Sequence, residues 1–86
     1  MEDKRLIYGV LLTDRMANAT PVQSLLTEYG CYIRTRLGLH NVDERFCSAK
    51  GLLLLEMFGD EARCRELGEK LSALEGVEVQ SMEFCC

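Results

Sequence analysis

The apolar residues gather into short runs with two different periods. Residues 5–12 (RLIYGVLL) are continuously apolar and rich in strand formers, too short for a typical helix, which predicts a β-strand. Leu6, Tyr8, Val10 and Leu12 fall on one face of it and Ile7, Gly9 and Leu11 on the other, so neither face suits water and the strand is expected to be central. Residues 13–19 read as a polar connection. Thr20-Pro21-Val22-Gln23 then supplies a capping hydroxyl, a proline for the first helical position and a glutamine three residues after the cap. Val22, Leu25, Leu26 and Tyr29 recur at the spacing of one helix face, and Gly30 is placed to end the helix in the left-handed conformation.

The second half repeats the theme. Residues 31–37 (CYIRTRL) alternate Cys31, Ile33, Thr35 and Leu37 against Tyr32, Arg34 and Arg36, as an edge strand wet on one side would. A polar, irregular stretch follows over residues 38–48. Residues 49–57 (AKGLLLLEM) form another apolar run, paired antiparallel with the preceding strand, with Gly51 marking a bulge. Asp60 caps a helix over residues 61–75 whose inward positions are Cys64, Leu67, Leu71 and Leu74, and whose Glu61/Arg65 and Glu66/Lys70 pairs have the favourable four-residue spacing. Gly76 stops it. Residues 77–84 form a last strand, with Val77 and Val79 inward and Glu78 and Gln80 outward.

The order strand, helix, strand, strand, helix, strand predicts one α+β domain over residues 1–86. It is a ferredoxin-like βαββαβ sandwich with strand order 4-1-3-2 and both helices on one face of an antiparallel sheet. The other face is left with half of each central strand, more apolar surface than a monomer of this size normally exposes. A homodimer or tetramer is therefore expected.

Composition narrows the classes. Ten Lys and Arg against fourteen Asp and Glu give a net charge of -4, which repels a phosphate backbone, so no direct nucleic-acid binding is expected. There is no run of the roughly 20 apolar residues that span a membrane, and acidic residues follow Met1 where a signal peptide would be basic; a cytoplasmic protein with no membrane partner is expected. Five cysteines lack CxxC spacing and read mostly as reduced thiols, with Cys31 and Cys64 on apolar faces of their elements.

Candidate chemistry is sparse. His40 is the only histidine, and Cys47 follows seven residues later; two such ligands do not close a metal site unless a symmetric partner supplies two more, and an exposed loop histidine is the plainer reading. Cys85 and Cys86 form a vicinal pair at the C-terminal end, either reactive toward oxidants or metals or a solvated tail. Arg34 and Arg36 share a strand face and, with Arg45, offer planar donors to a carboxylate or phosphate ligand. They serve equally as the solvated side of an edge strand, or as partners for Glu78 and Glu83 of a neighbouring subunit. There is no nucleophile with base and orienter, no phosphate loop and no histidine pair on a helix; an enzyme is not expected, and no cofactor is required.

Several short stretches resemble one family. Glu28-Tyr29-Gly30, Arg36-Leu37-Gly38, Glu44-Arg45, Gly68-Glu69-Lys70-Leu71 and the run Leu74-Glu75-Gly76-Val77-Glu78-Val79 are similar over nearly the whole chain to the iron-only hydrogenase system regulator family. Members of that family look like ACT-type domains and the C-terminal domain of the nickel-responsive repressor. The resemblance implies a regulatory or sensory module linked to hydrogenase maturation, acting as an oligomer on a small effector or metal. Arg34, Arg36, Gly38, His40 and Arg45 are its candidate ligand contacts. It also points to the connection over residues 13–19, where ACT-like domains hold ligands and where this sequence has no glycine. The loop after Gly38 departs from the family pattern in being longer, and no ribbon-helix-helix segment is present. The alternative is an interaction module that holds another polypeptide and binds no small molecule.

Overall fold

A computed structural model describes residues 4–39, 42–43, 46–47 and 51–85. Strand β1 (Lys4–Leu12) leads into helix α1 (Arg15–Glu28), a single 3-10 turn (Gly30–Tyr32) and strand β2 (Ile33–Leu39). Two short strands, β3 (Val42–Asp43) and β4 (Phe46–Cys47), pair with each other in a second, two-stranded sheet. Then come β5 (Gly51–Met57), α2 (Glu61–Ser72) and β6 (Val77–Cys85). The main sheet is antiparallel throughout, in the order β2-β5-β1-β6. Counting only its own strands along the chain and reading from the β6 edge, that is 4-1-3-2, the ferredoxin-like order expected from the element pattern.

Strand alternation explains which side became the core. Leu6, Tyr8, Val10 and Leu12 of β1 are buried with Leu55 and Met57 of β5, and Val22, Leu26 and Tyr29 of the α1 region and Cys64, Leu67 and Leu71 of α2 close over them in one cluster. Both helices therefore lie on one face. Asp60 caps α2 as its sequence suggested, accepting hydrogen bonds from the Ala62 and Arg63 amides at 2.9 and 3.4 Å. Glu61 pairs with Arg65 at 3.2 Å, but Glu66 turns to Arg63 at 3.0 Å rather than to Lys70. Lys70 instead stands over the Tyr29 ring, 5.1 Å from its centroid.

Four local expectations are corrected. Helix α1 starts at Arg15, not at Pro21: Asp14 accepts from the Ala17 amide at 3.3 Å, and Pro21 sits inside the helix. Gly30 does not adopt a positive φ; the chain passes from Tyr29 into a 3-10 turn, so β2 begins at Ile33 and Cys31 is exposed rather than set on an apolar face. Gly51 pairs regularly with Leu12, and the bulge lies instead in β2, where the register slips between Ile33 and Thr35. That slip breaks the alternation carrying Arg34 and Arg36: Arg36 stands opposite the core residue Leu55, whereas Arg34 is the inserted residue, its guanidinium 5.4 Å above the Phe58 ring.

Candidate functional site

Side chains directly opposite one another in antiparallel strands share a face. The rows Leu11/Leu52/Glu78, Gly9/Leu54/Leu37/Gln80, Ile7/Glu56/Thr35/Met82 and Arg5/Phe84 thus make up the helix-free side of the sheet. Four of its apolar members are among the most exposed large hydrophobics of the described residues, Leu37 at 49%, Leu52 at 36%, Met82 at 54% and Phe84 at 49%, while Ile7, Leu11 and Leu54 are half-buried. Polar groups rim it. Arg5 pairs with Glu56 at 3.3 Å, Thr35 Oγ1 donates to the same carboxylate at 3.3 Å, and Glu78 makes no ion pair among the described residues.

The contributions of β1 and β5 were legible in the sequence, but those of β6 and Leu37 were missed. Glu78 and Gln80 mark that side of β6 as outward, and the same alternation carried two steps further places Met82 and Phe84 beside them. The polar start of the strand concealed its apolar end.

The junction between β1 and α1 is closed by its own polar groups. Asn18, only 6% exposed, donates through Nδ2 to the Glu75 carbonyl at 2.8 Å and accepts from the Asp14 amide at 3.0 Å. The amide and hydroxyl of Thr13 both donate to the Gly76 carbonyl, at 2.9 and 2.8 Å. The glycine absent from residues 13–19 is thus supplied from across the fold: Gly76 has φ +79, and a Cβ there would lie 3.1 Å from Thr13 Oγ1 and 3.2 Å from the Asn18 amide group. An open depression of about 580 Å³ beside it is lined in part by Asp14, Pro21 and Leu74.

A second depression, of about 550 Å³, runs between α2 and β6 over Tyr8, Gly68 and Val79, with Arg65 at its rim. Arg65 bridges Glu61 and Glu83, the latter at 2.6 Å, and Lys4 reaches Glu61 at 3.1 Å and Glu83 at 3.7 Å. Hydrogen bonds from Lys4 and then Arg65 hold the Glu61 carboxyl below its usual range, and the same Glu61 contact raises Lys4. Glu83 is therefore occupied within its own chain. Burial raises the Tyr8 phenol and the Cys64 thiol, which donate to the Cys64 and Phe58 carbonyls at 3.0 and 3.4 Å.

Of the sequence-selected residues, Arg34, Arg36 and Gly38 are exposed on the edge strand β2, and Cys85 is exposed at the end of β6 opposite Lys4. His40, Arg45 and Cys86 lie outside the described residues, and of Cys47 only the backbone, opposite Val42, is described. Among the described residues no three His, Cys, Asp or Glu side chains come together as a metal site, and no helix is long and apolar enough to cross a membrane.

No family model matches the chain, and no curated protein matches it. Solved structures do. The chain is similar to uncharacterized protein TM1266 from Thermotoga maritima, with 24% identity over 94% of this chain and 98% of that one and a TM-score of 0.78. It is similar to CPII, a nitrogen regulatory PII-like protein from Thiomonas intermedia K12 bound to ADP, AMP and bicarbonate, with 16% identity, 96% and 92% coverage and a TM-score of 0.58. A formyltetrahydrofolate deformylase from Pseudomonas putida KT2440 matches with 17% identity over 91% of this chain and a TM-score of 0.55; this chain spans 28% of that one. These likenesses define a class by fold: a ferredoxin-type α+β domain with a PII-like architecture.

Proposed function

We propose that the chain is a non-enzymatic regulatory module that self-associates through its uncovered sheet face and binds a small effector. The observation that carries this is the row of exposed apolar side chains, Leu37, Leu52, Met82 and Phe84, on a sheet whose other face is already filled by both helices. Each is about half exposed, so covering what remains is worth about 1 kcal/mol per side chain, and the four side chains of both copies together approach the entropic cost of association. The PII-like neighbour, bound to nucleotides and bicarbonate, supports an anionic effector. Exposed Arg34 and Arg36 on the β2 edge, with Gly38, His40 and Arg45, are the assigned contacts. A metal at His40, Cys47, Cys85 or Cys86 and a role in iron-only hydrogenase maturation belong to the same reading; both rest on the sequence and its family resemblance.

Sedimentation across a concentration series tests the assembly. A dimer or tetramer at micromolar concentration is expected, driven toward monomer by Met82→Lys, whereas a monomer at millimolar concentration overturns it. A thermal-shift panel of nucleotides, bicarbonate, amino acids and divalent metals tests the effector. A stabilising hit lost in Arg34→Ala/Arg36→Ala is expected, and silence across the panel favours a purely protein-binding module.

A further inference from the structure

The uncovered face contains a recess that the fold itself does not need. Gly9 lies mid-strand in β1, which is flanked on both sides, and stands opposite Leu54 of β5 and Gln80 of β6. Its φ is not positive, so its backbone is one that any residue adopts. A Cβ added there would meet nothing nearer than the Gln80 carbonyl at 3.8 Å and Leu54 Cδ2 at 3.9 Å, which is ordinary contact. Glycine in a strand interior loses backbone entropy and packs nothing, and its physical use there is to admit another surface closely. The side that Gly9 leaves open is the helix-free side, between Ile7 and Leu11 along the strand and Leu54 and Gln80 across it.

We infer that a second copy of this chain covers the face, with Ile7 of each copy seated over Gly9 of the other. The face is self-complementary. Knob and recess lie two residues apart on the same face of one strand, about 6.8 Å. A two-fold axis between the sheets, perpendicular to β1 and passing between positions 7 and 9, exchanges the two and fills both recesses at once. That operation also lays the Arg5/Phe84 end of the face over the partner's Leu11/Glu78 end. Arg5, which holds Glu56 of its own chain through one guanidinium nitrogen, then comes diagonally near the partner's Glu78 at both ends of the interface, while Met82 and Phe84 are covered. Joining two sheets edge to edge achieves neither.

This inference rests on the self-association proposed above, and its test separates the two. Gly9→Ala adds a Cβ where the folded monomer has room, and Gly9→Val extends it on the helix-free side. The unfolding midpoint, measured at concentrations where the protein is monomeric, is expected to hold or rise, while the dissociation constant from sedimentation velocity rises at least tenfold. The swapped variant Ile7→Gly/Gly9→Ile exchanges knob and recess across the same axis and is expected to associate more tightly than Gly9→Val. If the parent chain associates and Gly9→Val associates equally well, the face-to-face arrangement is overturned and self-association stands. A parent chain that stays monomeric overturns both.

Discussion

The ring of Tyr8 passes so close to Gly68 that a single added methyl group on the helix would collide with it. A Cβ at Gly68 would stand 2.5 Å from Tyr8 Oη, 2.6 Å from Cζ and 2.9 Å from Cε1. Glycine in mid-helix normally costs about 1 kcal/mol relative to alanine; here it lets a central-strand tyrosine reach through to the Cys64 carbonyl at 3.0 Å.

Gly68→Ala is therefore expected to destabilise the fold despite its better helix propensity. Overpacking costs about 1–3 kcal/mol and the displaced hydrogen bond about 1 more, against a gain of about 1. A net loss of about 1–3 kcal/mol in denaturant unfolding is the expected outcome. Tyr8→Phe, which removes the nearest atom, should cost less in the Gly68→Ala background than in the parent. Additive losses in that cycle would show the two side chains to be uncoupled.

Asn18 joins the start of α1 to the turn after α2, and its removal should loosen both. Asn18→Ala removes the partner of the part-buried Asp14 amide and Glu75 carbonyl, a loss of about 1 kcal/mol because water reaches both groups in part. Hydrogen exchange is the sharper measurement. The Thr13 amide, bonded to the Gly76 carbonyl at 2.9 Å, should exchange faster in the variant while the centre of β1 keeps its protection, and unchanged exchange at Thr13 would contradict the coupling.

The buried thiol sets an alkaline limit. Burial raises Cys64 and Tyr8, and hydrogen bonding to Glu61 raises Lys4, so each contributes stability that is complete below its ordinary value and is lost as pH rises through its raised one. Melting temperature should hold near neutrality and decline above about pH 8.5, where the unfolded thiol first ionises. Under native conditions a thiol reagent should label exposed Cys31 and Cys85, and reach Cys64 only in denaturant. Labelling of Cys64 at the rate of Cys31 would show that the core opens locally.

The acid side has the opposite sign. Glu61 is held low by Lys4 and Arg65, so its contribution is present above about pH 4.3 and fades as pH falls through the lower folded value. Glu61→Gln should give a small loss of melting temperature at neutral pH that shrinks in high salt and at acid pH, because the whole cluster is exposed. A loss that persists under both conditions would mean that Glu61 acts through packing.

What was legible in the sequence follows the strength of each pattern. The run through Val10 and the spacing of Cys64, Leu67 and Leu71 fixed β1, α2 and the shared core because each repeats over several turns or alternations. The start of α1 was hidden because Asn18 occupies the inward position one turn before Val22: a buried polar residue continues the helical stripe but does not read as apolar. Gly9 was legible as a residue and not as a recess. Only the pairing of β1 with β5 and β6 shows that its open side belongs to the uncovered face, and only the space around its Cβ shows that the fold leaves it free.

Pro21 turns the misread helix start into a measurement. Inside α1 it supplies no amide to the Ala17 carbonyl four residues back, and an interior proline costs a helix about 3 kcal/mol relative to alanine. Against that, proline restricts the unfolded chain, an advantage of about 0.4–1 kcal/mol that the variant forfeits. The first effect is larger, so Pro21→Ala is expected to stabilise the protein by about 1–2 kcal/mol, with the margin reduced because Pro21 is half-buried beside Leu74 and loses some packing. Helicity by circular dichroism should rise slightly or hold. Destabilisation would mean that packing of the pyrrolidine ring against the turn after α2 outweighs the missing hydrogen bond, and would make Pro21 part of the clasp formed by Thr13, Asn18 and Gly76.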